Sequence, residues 1–315
     1  MAVVVAYPLT EAQLERIRAA AGPLPVVVAT DREALPAAIA EAEVLFGRLT
    51  PPLLARARRL RWVQTQGAGV DGVLFPAFAA SDVVLTSEKG HVGPHLAEQA
   101  FALLLAITRG VAQAVRHPGL WEHRLALRAA AWELTDKTMG LVGFGGTGRA
   151  VAERARGFGL RLLAVDPEPV PVPPGVEAIW GIDRFHDLLA ESDVVVICAP
   201  LTPQSRGLFD RQAFAQMRPG AILINVTRGG IVDGEALVEA LRSGRLGGAG
   251  LDVTPQEPLP PEHSLWQFPN VVITPHVAGG SPLRQDRVVD LFCANLQRFR
   301  AGQPLAGVID KSKGY

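Results

Sequence analysis

Short runs of valine, leucine and isoleucine alternate with amphipathic segments along most of the chain, and this alternation constrains the fold most strongly. Strand-like runs occupy residues 2–7, 26–30 and 44–47, with helical patterns between them near 10–21 and 31–40. Further strand-like runs follow at 61–66 and 83–86. Strands joined by helices cross over with one handedness and form parallel sheets. The first ~90 residues therefore predict one α/β unit.

A second alternating series begins at Met139. Its six strand-like runs read MGLVGF, LRLLAVD, VVVICAP, AILINV, GAGLDV and NVVITP. Helical patterns near 147–158, 183–191, 210–217 and 233–243 separate them, with a Pro-rich surface loop at 167–174. This series predicts a doubly wound sheet. Before it, a helix is predicted over 93–115, and its apolar residues cover nearly the whole circumference, which indicates burial on several sides.

The composition and net charge restrict the classes of partner that the chain can bind. The chain has 315 residues and a formal net charge of zero, so it lacks the positive field that nucleic acid or an anionic membrane would require. Its longest apolar run, residues 100–107, is too short to span a bilayer, and the start has no basic signal-peptide region. Cys198 and Cys293 lack metal or redox spacing. A cytoplasmic protein with a small-molecule partner is predicted.

The segment Gly143-Phe144-Gly145-Gly146-Thr147-Gly148 directly follows a predicted strand and opens a helix. Its first glycine permits a tight turn, its second lets backbone approach a pyrophosphate, and its third lets the helix pack on the strand. The helix N-terminus offers N–H groups and the positive end of the helix dipole to the phosphates. Gly-rich turns are common, but this strand-turn-helix context predicts a dinucleotide site.

Asp166 lies at the end of the next predicted strand. A carboxylate there can accept hydrogen bonds from the adenosine ribose hydroxyls and would repel a 2′-phosphate, while Pro167 and Glu168 supply no arginine to receive one. The alternative is a turn residue, since Asp-Pro commonly starts turns. Strand, glycines and spacing together favour NAD as the cofactor.

Three polar segments follow the ends of later strands: 225–230 (NVTRGG), 252–258 (DVTPQEP) and 274–279 (TPHVAG). Ligands of open α/β sheets bind beyond the carboxyl ends of the strands. An arginine, a glutamate and a histidine are therefore expected beside the cofactor.

In these segments the chain resembles the D-2-hydroxyacid dehydrogenase family, which includes glyoxylate, hydroxypyruvate and phosphoglycerate dehydrogenases. The resemblance extends over nearly the whole chain. Besides the glycine turn and the three polar segments, it is carried by 66–71 (QGAGVD), 97–98 (AE), 199–202 (APLT), 264–266 (SLW) and 269–271 (PNV). It implies an α/β fold of two Rossmann-like domains: a flavodoxin-like substrate domain of residues 1–92 and 281–315, and an inserted doubly wound NAD-binding domain of residues 93–280. The substrate is expected in the hinge cleft.

The resemblance implies that Arg228, Glu257 and His276 are catalytic, and their chemistry suits reduction of a 2-keto acid. His276 as imidazolium is a general acid for the carbonyl oxygen, and Glu257 orients the imidazole and favours its charged form. Arg228 offers a planar fork to the substrate carboxylate and polarises the carbonyl. Singly, each residue has a structural alternative: a structural histidine, a loop-capping arginine, a solvated glutamate. Their order and context favour the catalytic interpretation.

Further residues complete the predicted site. Asp252 resembles the family's contact to the nicotinamide amide, with a loop-capping role as the alternative. The predicted cofactor-binding set is Gly143, Gly145, Gly146, Thr147, Gly148, Asp166, Ala199, Pro200, Thr227, Arg228, Asp252, His276 and Gly279. The predicted substrate-binding set is Arg228, the backbone N–H groups of Ala68 and Gly69, and Arg48, whose alternative is a solvated loop charge.

The remaining histidines have no matching partners in the sequence and are predicted to be surface or loop residues: His91, His95, His117, His123, His186 and His263. No metal site is predicted. The chain departs from the family pattern at Thr147, where an apolar residue is usual, and at residues 86–89 (TSEK), where Thr-Asn is usual before Gly90. The second departure bears on substrate preference.

These observations together predict a cytoplasmic, homodimeric, NAD-dependent oxidoreductase that interconverts a small D-2-hydroxy acid and its 2-keto acid. The dimer is expected from the family and from the apolar helix at 93–115. One alternative is an NADH-responsive binding protein similar to the corepressors of this fold. The other is a phosphite-type dehydrogenase. Formate dehydrogenases carry Gln where this chain has Glu257, which disfavours that reading.

Overall fold

A computed structural model describes residues 2–31, 33–116 and 120–315. The chain forms two compact units: Met1–Val92 with Ser281–Tyr315, and Gly93–Gly280. Both are built on parallel sheets with helices, so the predicted α/β class with two Rossmann-like sheets is confirmed. The substrate role of the first unit stays a prediction.

The first unit contains a five-stranded parallel sheet in the order β2-β1-β3-β4-β5, which is the flavodoxin-like order. Its strands are β1 (Ala2–Val5), β2 (Val26–Val28), β3 (Ala42–Phe46), β4 (Trp62–Gln64) and β5 (Val84–Thr86). Its first helices are α1 (Glu11–Ala21), α2 (Leu35–Ala38), α3 (Pro51–Arg56) and α4 (Pro76–Ala79), with a 3-10 helix at Ile39–Glu41.

The second unit contains a seven-stranded parallel sheet in the order β12-β11-β10-β9-β6-β7-β8. Its strands are β6 (Thr138–Val142), β7 (Arg161–Val165), β8 (Ala178–Trp180), β9 (Val194–Ile197), β10 (Ala221–Asn225), β11 (Leu246–Leu251) and β12 (Val271–Ile273). The strand order reverses between β6 and β9, since β7 and β8 are added on one side of β6 and β9 to β12 on the other, and open α/β sheets bind ligands at such a switch point. The sequence predicted six strands; it missed β8, which has three residues and follows the Pro-rich loop.

Helices cover both faces of the larger sheet. They are α5 (Gly93–Thr108), α6 (Val111–Arg116), α7 (Arg124–Ala130), α8 (Gly146–Ala155), α9 (Phe185–Glu191), α10 (Arg211–Gln216) and α11 (Gly234–Arg242). Short 3-10 helices occupy Leu120–His123, Arg156–Phe158, Ile182–Arg184, Gly229–Ile231 and Ser264–Gln267.

The single helix predicted over 93–115 is wrong. Gly110 adopts φ +67°, in the left-handed region that ends helices, so α5 and α6 are separate. The predicted burial of α5 is confirmed, because it packs against α8 and against β10, β11 and β12. His95, predicted to be a surface or loop residue, is buried within α5 because its position faces this packing. His117 lies outside the described residues.

The last helix, α12 (Arg284–Arg300), belongs to the first unit and packs against α1. Its Phe292 stacks on Phe46 with ring centroids 4.3 Å apart. Its buried Asn295 donates from Nδ2 to Gln64 Oε1 (3.1 Å) and to Ala306 O (3.0 Å). Apolar stacking and a buried amide network thus join the return helix to the sheet. Within the described part of the chain, no helix is long and apolar enough to cross a membrane.

Candidate active site

The glycine turn after β6 has the geometry that the sequence predicts. Gly143 adopts φ +96°, and a Cβ atom there would lie 2.8 Å from Ala199 N. A Cβ on Gly148 would lie 2.3 Å from Gly143 O, so only glycine lets α8 approach the strand. A Cβ on Gly145 would meet no atom within 4 Å, so the space in front of this backbone is open to an approaching ligand. The turn fits a pyrophosphate above the N-terminus of α8.

Asp166 directly follows β7, and its carboxylate lies beside this turn. Phe144 donates its backbone N–H to Asp166 Oδ2 (2.6 Å), and Glu168 donates its N–H to Oδ1 (2.9 Å). The bond from Glu168 is the contact expected if Asp166 is a turn residue, which was the alternative interpretation. The bond from Phe144 connects the carboxylate to the glycine turn. Asp166 is half-buried, so it keeps an exposed edge on which ribose hydroxyls could bind.

The next strand, β9, ends at the predicted cofactor residues Ala199 and Pro200. Ser205 donates its Oγ–H to Pro200 O (2.7 Å), which fixes the loop after the strand. Cys198 is buried here, and burial alone raises the pKa of its thiol to about 12. The thiol therefore stays protonated near neutral pH and adds no charge beside the cofactor edge.

Arg228 lies just beyond β10, in a loop held by Asn225. The Asn225 side chain accepts from Thr227 N (3.1 Å) and donates to Arg228 O (3.0 Å), while Arg228 Nη1 donates to Thr227 O (2.8 Å). A Cβ on Gly229 would lie 1.8 Å from Thr254 O, so the loops after β10 and β11 pack backbone to backbone. This contact brings the arginine loop against the loop that carries Glu257.

Asp252 follows β11 and is buried. Its carboxylate accepts from Thr274 Oγ1 (2.6 Å), Val277 N (3.0 Å) and Ala278 N (2.8 Å). These bonds hold the loop after β12 and correspond to the loop-capping role that was the alternative for Asp252. Its contact to the nicotinamide stays a prediction.

His276 and Glu257 form the closest pair of the predicted trio. His276 Nδ1 lies 2.8 Å from Glu257 Oε2, and Thr254 donates its N–H to Glu257 Oε1 (3.1 Å). His276 donates its own backbone N–H to Asp252 O (2.8 Å). The two side chains are 48% and 40% exposed, so a substrate can reach them. The imidazole is thus oriented from one side by a carboxylate and open on another.

His276 adopts φ +54°, a region that non-glycine residues rarely occupy and that costs of order 1–3 kcal/mol. The surrounding bonds from Asp252 offset this strain. The strained backbone directs the ring toward Glu257.

The substrate-binding residues predicted in the first unit lie in loops after β3 and β4. Ala68 and Gly69 belong to the glycine-rich loop after β4 and are half-buried. Arg48 is exposed and donates from Nη2 to Gly72 O (2.7 Å), so its guanidinium supports the far end of that loop. Their substrate contacts stay predictions.

Sequence reasoning missed two residues that support the histidine loop. Gln99 donates from Nε2 to Thr274 Oγ1 (2.9 Å), and Thr274 donates in turn to Asp252. Thr274 could have been found from its place directly before Pro275-His276. Gln99 gave no signal, because its partner lies far along the chain.

The comparisons with known proteins agree with this geometry. Residues 101–278 match the model of the D-isomer specific 2-hydroxyacid dehydrogenase NAD binding domain. A glyoxylate reductase from Korarchaeum cryptofilum is 34% identical over 277 residues, covering 84% of this chain and 82% of the relative. A structure of a D-isomer specific 2-hydroxyacid dehydrogenase from Xanthobacter autotrophicus in complex with NADPH and MES is 28% identical, with a TM-score of 0.82, over 100% of this chain and 99% of that one.

A D-3-phosphoglycerate dehydrogenase from Mycobacterium leprae is 38% identical over 298 residues. The match covers 90% of this chain but 54% of that relative, so the chain spans about half its length. With the family model matched over more than half of the sequence, and with both Rossmann-like units present, the chain belongs to the D-isomer specific 2-hydroxyacid dehydrogenase family of nicotinamide-dinucleotide-dependent oxidoreductases.

Proposed function

We propose that this chain interconverts a small D-2-hydroxy acid and its 2-keto acid, with His276 and Glu257 as the proton relay. The observation that carries the proposal is the 2.8 Å contact between His276 Nδ1 and Glu257 Oε2, at the sheet edge that holds the glycine turn. A carboxylate on Nδ1 fixes the tautomer and leaves Nε2 as the nitrogen that exchanges a proton with substrate.

When bound, the nicotinamide supplies the hydride for reduction. His276 Nε2–H donates its proton to the carbonyl oxygen as that oxygen gains negative charge, and the reverse transfer serves oxidation of the alcohol. Glu257 stabilises the imidazolium that donates this proton. Each reduction therefore consumes one proton through His276.

Arg228 is proposed to bind the substrate carboxylate. A guanidinium carries N–H donors in a planar fork, and Arg228 uses Nη1 on its own loop at Thr227 O. This contact and the hydrogen bond from the Asn225 amide hold the loop that carries Arg228. Orienting a 2-keto acid requires such a held side chain. In the first unit, the N–H groups of Ala68 and Gly69 are proposed as further donors to the same carboxylate, and Arg48 stays a proposed substrate contact.

We further propose NAD as the cofactor. Asp166 presents a carboxylate beside the glycine turn, and a 2′-phosphate would bring two like charges together there. The other proposed cofactor contacts are the turn residues Gly143, Gly145, Gly146, Thr147 and Gly148, with Ala199, Pro200, Thr227, Asp252 and Gly279 at the later strand ends. A cytoplasmic location is also proposed, where the free thiols of Cys198 and Cys293 stay reduced.

We also propose a homodimer, on the basis of exposed apolar side chains that follow α5 and not of α5 itself. Helix α5 is covered by its own unit, but the segment after it exposes large apolar side chains. Val111, Val115, Trp121 and Leu125 are 51%, 77%, 84% and 76% exposed. Apolar patches of this kind mark contact surfaces, and a two-fold axis would let one patch cover another.

The test is a spectrophotometric panel. Purified protein is expected to oxidise NADH in the presence of glyoxylate, hydroxypyruvate or a bulkier 2-keto acid. Tight NADH binding without turnover of any 2-keto acid would overturn the proposal and favour an NADH-responsive binding protein. Reduction of NAD by phosphite alone would favour the phosphite-type alternative.

A further inference from the structure

The glycine-rich loop after β4 is tied down through its carbonyl groups. Arg284 Nη2 donates to Gln66 O (3.0 Å), and Ser87 Oγ donates to Ala68 O (3.2 Å). At the start of the loop, Tyr7 Oη accepts the N–H of Gln66 (3.2 Å). Arg284 and Ser87 thus hold carbonyl oxygens of the loop, and Tyr7 holds the N–H at its start.

The N–H groups that follow Gln66 have a different environment. Across residues 2–31, 33–116 and 120–315, those of Gly67, Ala68 and Gly69 donate to no protein acceptor. All three residues are half-buried, so part of this loop faces solvent. Backbone N–H groups with carbonyls anchored behind them are suitable donors for an anion.

Arg284, which donates to Gln66 O, is itself bound by a buried carboxylate. The Glu88 carboxylate, whose side chain is 2% exposed, accepts from Arg284 Nε (2.8 Å) and also from Arg284 Nη2. Burial raises the pKa of Glu88 against the opposing effect of Arg284. Burying a carboxylate costs free energy unless it is paired with a cation and hydrogen-bonded. The contact therefore requires both Glu88 and Arg284.

The charge of Arg284 is not favoured by the helix that it begins. It is the first residue of α12, where a positive charge opposes the helix dipole. Glu88 lies in the TSEK stretch, where the chain departs from the family pattern. Arg284 thus links the buried Glu88 carboxylate to the carbonyl of Gln66.

We propose that the Glu88–Arg284 pair is a positioning device. It fixes Gln66 O, and with it the peptide that carries the Gly67 N–H, and so holds the loop that presents the N–H groups of Ala68 and Gly69 to the substrate carboxylate. This rests on the proposed function, in which these N–H groups bind that carboxylate. Glu88 and Arg284 act through the loop and are positioning residues. Loss of the pair weakens substrate binding and leaves the proton relay of His276 in place.

The test compares Arg284→Met, Glu88→Gln and the double variant E88Q/R284M. Arg284→Met leaves the buried Glu88 carboxylate without its partner, and Glu88→Gln leaves the half-buried Arg284 guanidinium without an opposite charge, so both variants are expected to unfold at lower temperature. The double variant removes both charges, so its thermal midpoint is expected to recover toward wild type. It still lacks the donor to Gln66 O.

In the double variant, KM for the 2-keto acid is expected to rise ~10- to 100-fold, while kcat changes less than about 3-fold. The KM for NADH is expected to stay at the wild-type value. A double variant that regains the wild-type KM for the 2-keto acid together with its thermal midpoint would show a merely structural pair and overturn the inference. The matched control is Asp290→Asn, which removes an exposed ion pair between α12 and Arg16 and is expected to leave every KM unchanged.

A binding measurement separates this inference from the proposed function. Oxamate, a 2-keto acid isostere that is not reduced, is titrated calorimetrically into protein with NADH. If wild type turns over no 2-keto acid but binds oxamate, the proposed function fails, and weaker oxamate binding by the double variant still supports the positioning role. Equal oxamate binding by wild type and double variant, or none by either, overturns the positioning role.

Discussion

His276 combines three features that are rarely found in one structural histidine. Its backbone has a left-handed φ, its Nδ1 contacts a carboxylate, and nearly half of its side chain is exposed. A structural histidine would gain nothing from holding a strained backbone in order to face solvent. The residue-scale geometry therefore favours proton transfer over a packing role.

Substitution of His276 by alanine removes the proposed acid and leaves the glycine turn untouched. We expect kcat to fall ~10²- to 10⁴-fold, the usual contribution of a positioned acid or base. The NADH dissociation constant, measured by fluorescence titration, is expected to change by less than a factor of about 3. His186→Ala, an exposed histidine on α9, is the control. A fully active His276 variant would refute the acid role.

We propose that the Asp166 carboxylate faces the adenosine ribose and disfavours the 2′-phosphate of NADP. Asp166→Ser keeps a turn-forming side chain that can accept the Phe144 N–H but removes the charge. We expect the preference of kcat/KM for NADH over NADPH to fall by ~10-fold or more, since one ionic repulsion is removed. Steady-state kinetics with both cofactors measures this. An unchanged ratio would mean that Asp166 is only a turn residue.

At the scale of elements, strand ends bring the site together. The glycine turn, Asp166, Arg228, Asp252 and His276 all follow the carboxyl ends of strands in one parallel sheet. Successive strand ends then support one another: Gly229 packs on Thr254 O, and the Asp252 carboxylate holds the loop after β12. Neighbouring loops of the candidate site are thus joined by backbone packing and hydrogen bonds.

Close packing of α5 on the sheet depends on glycines in β11. A Cβ on Gly250 would lie 2.8 Å from Leu103 Cβ and 2.7 Å from Ile224 Cδ1. Gly250→Ala is therefore expected to lower the free energy of unfolding by ~1–3 kcal/mol through overpacking. Urea unfolding followed by tryptophan fluorescence measures it. The control is Gly157→Ala, where a Cβ meets no atom within 4 Å; equal effects of the two changes would contradict close packing as the cause.

At the scale of the whole molecule, the segment after α5 leaves several large apolar side chains exposed. Trp121 and Leu125 expose most of their side chains, on a 3-10 helix and on α7. Their exposure is the basis of the homodimer proposal.

The double variant W121E/L125E is expected to convert a dimer into a monomer, because charge in a buried interface core is strongly unfavourable. Light scattering at several protein concentrations measures the mass. Val172→Glu, in the exposed Pro-rich loop, is the control and is expected to leave the mass unchanged. A wild-type protein that is monomeric at all concentrations would contradict the proposal.

The sequence by itself determined the α/β class, the glycine turn and the set of strand-end residues, because these follow from local periodicity and from turn residues close together in the chain. The sequence did not predict β8, because its three residues, Ala178–Trp180, lack the run of valine, leucine and isoleucine that marks most other strands. The sequence also did not predict the helix break at Gly110, because the apolar pattern continues across that residue.

Only the tertiary structure decided which side chains meet. The burial of His95, the bonds from Asp252 to the histidine loop, the Gln99–Thr274 contact and the Glu88–Arg284 pair each depend on packing or on partners distant along the chain. Periodicity carries no information about such partners, because it reports which face of an element is buried and not what lies against it. The place of His276 beyond a strand end was readable from the sequence, and the network that holds it was not.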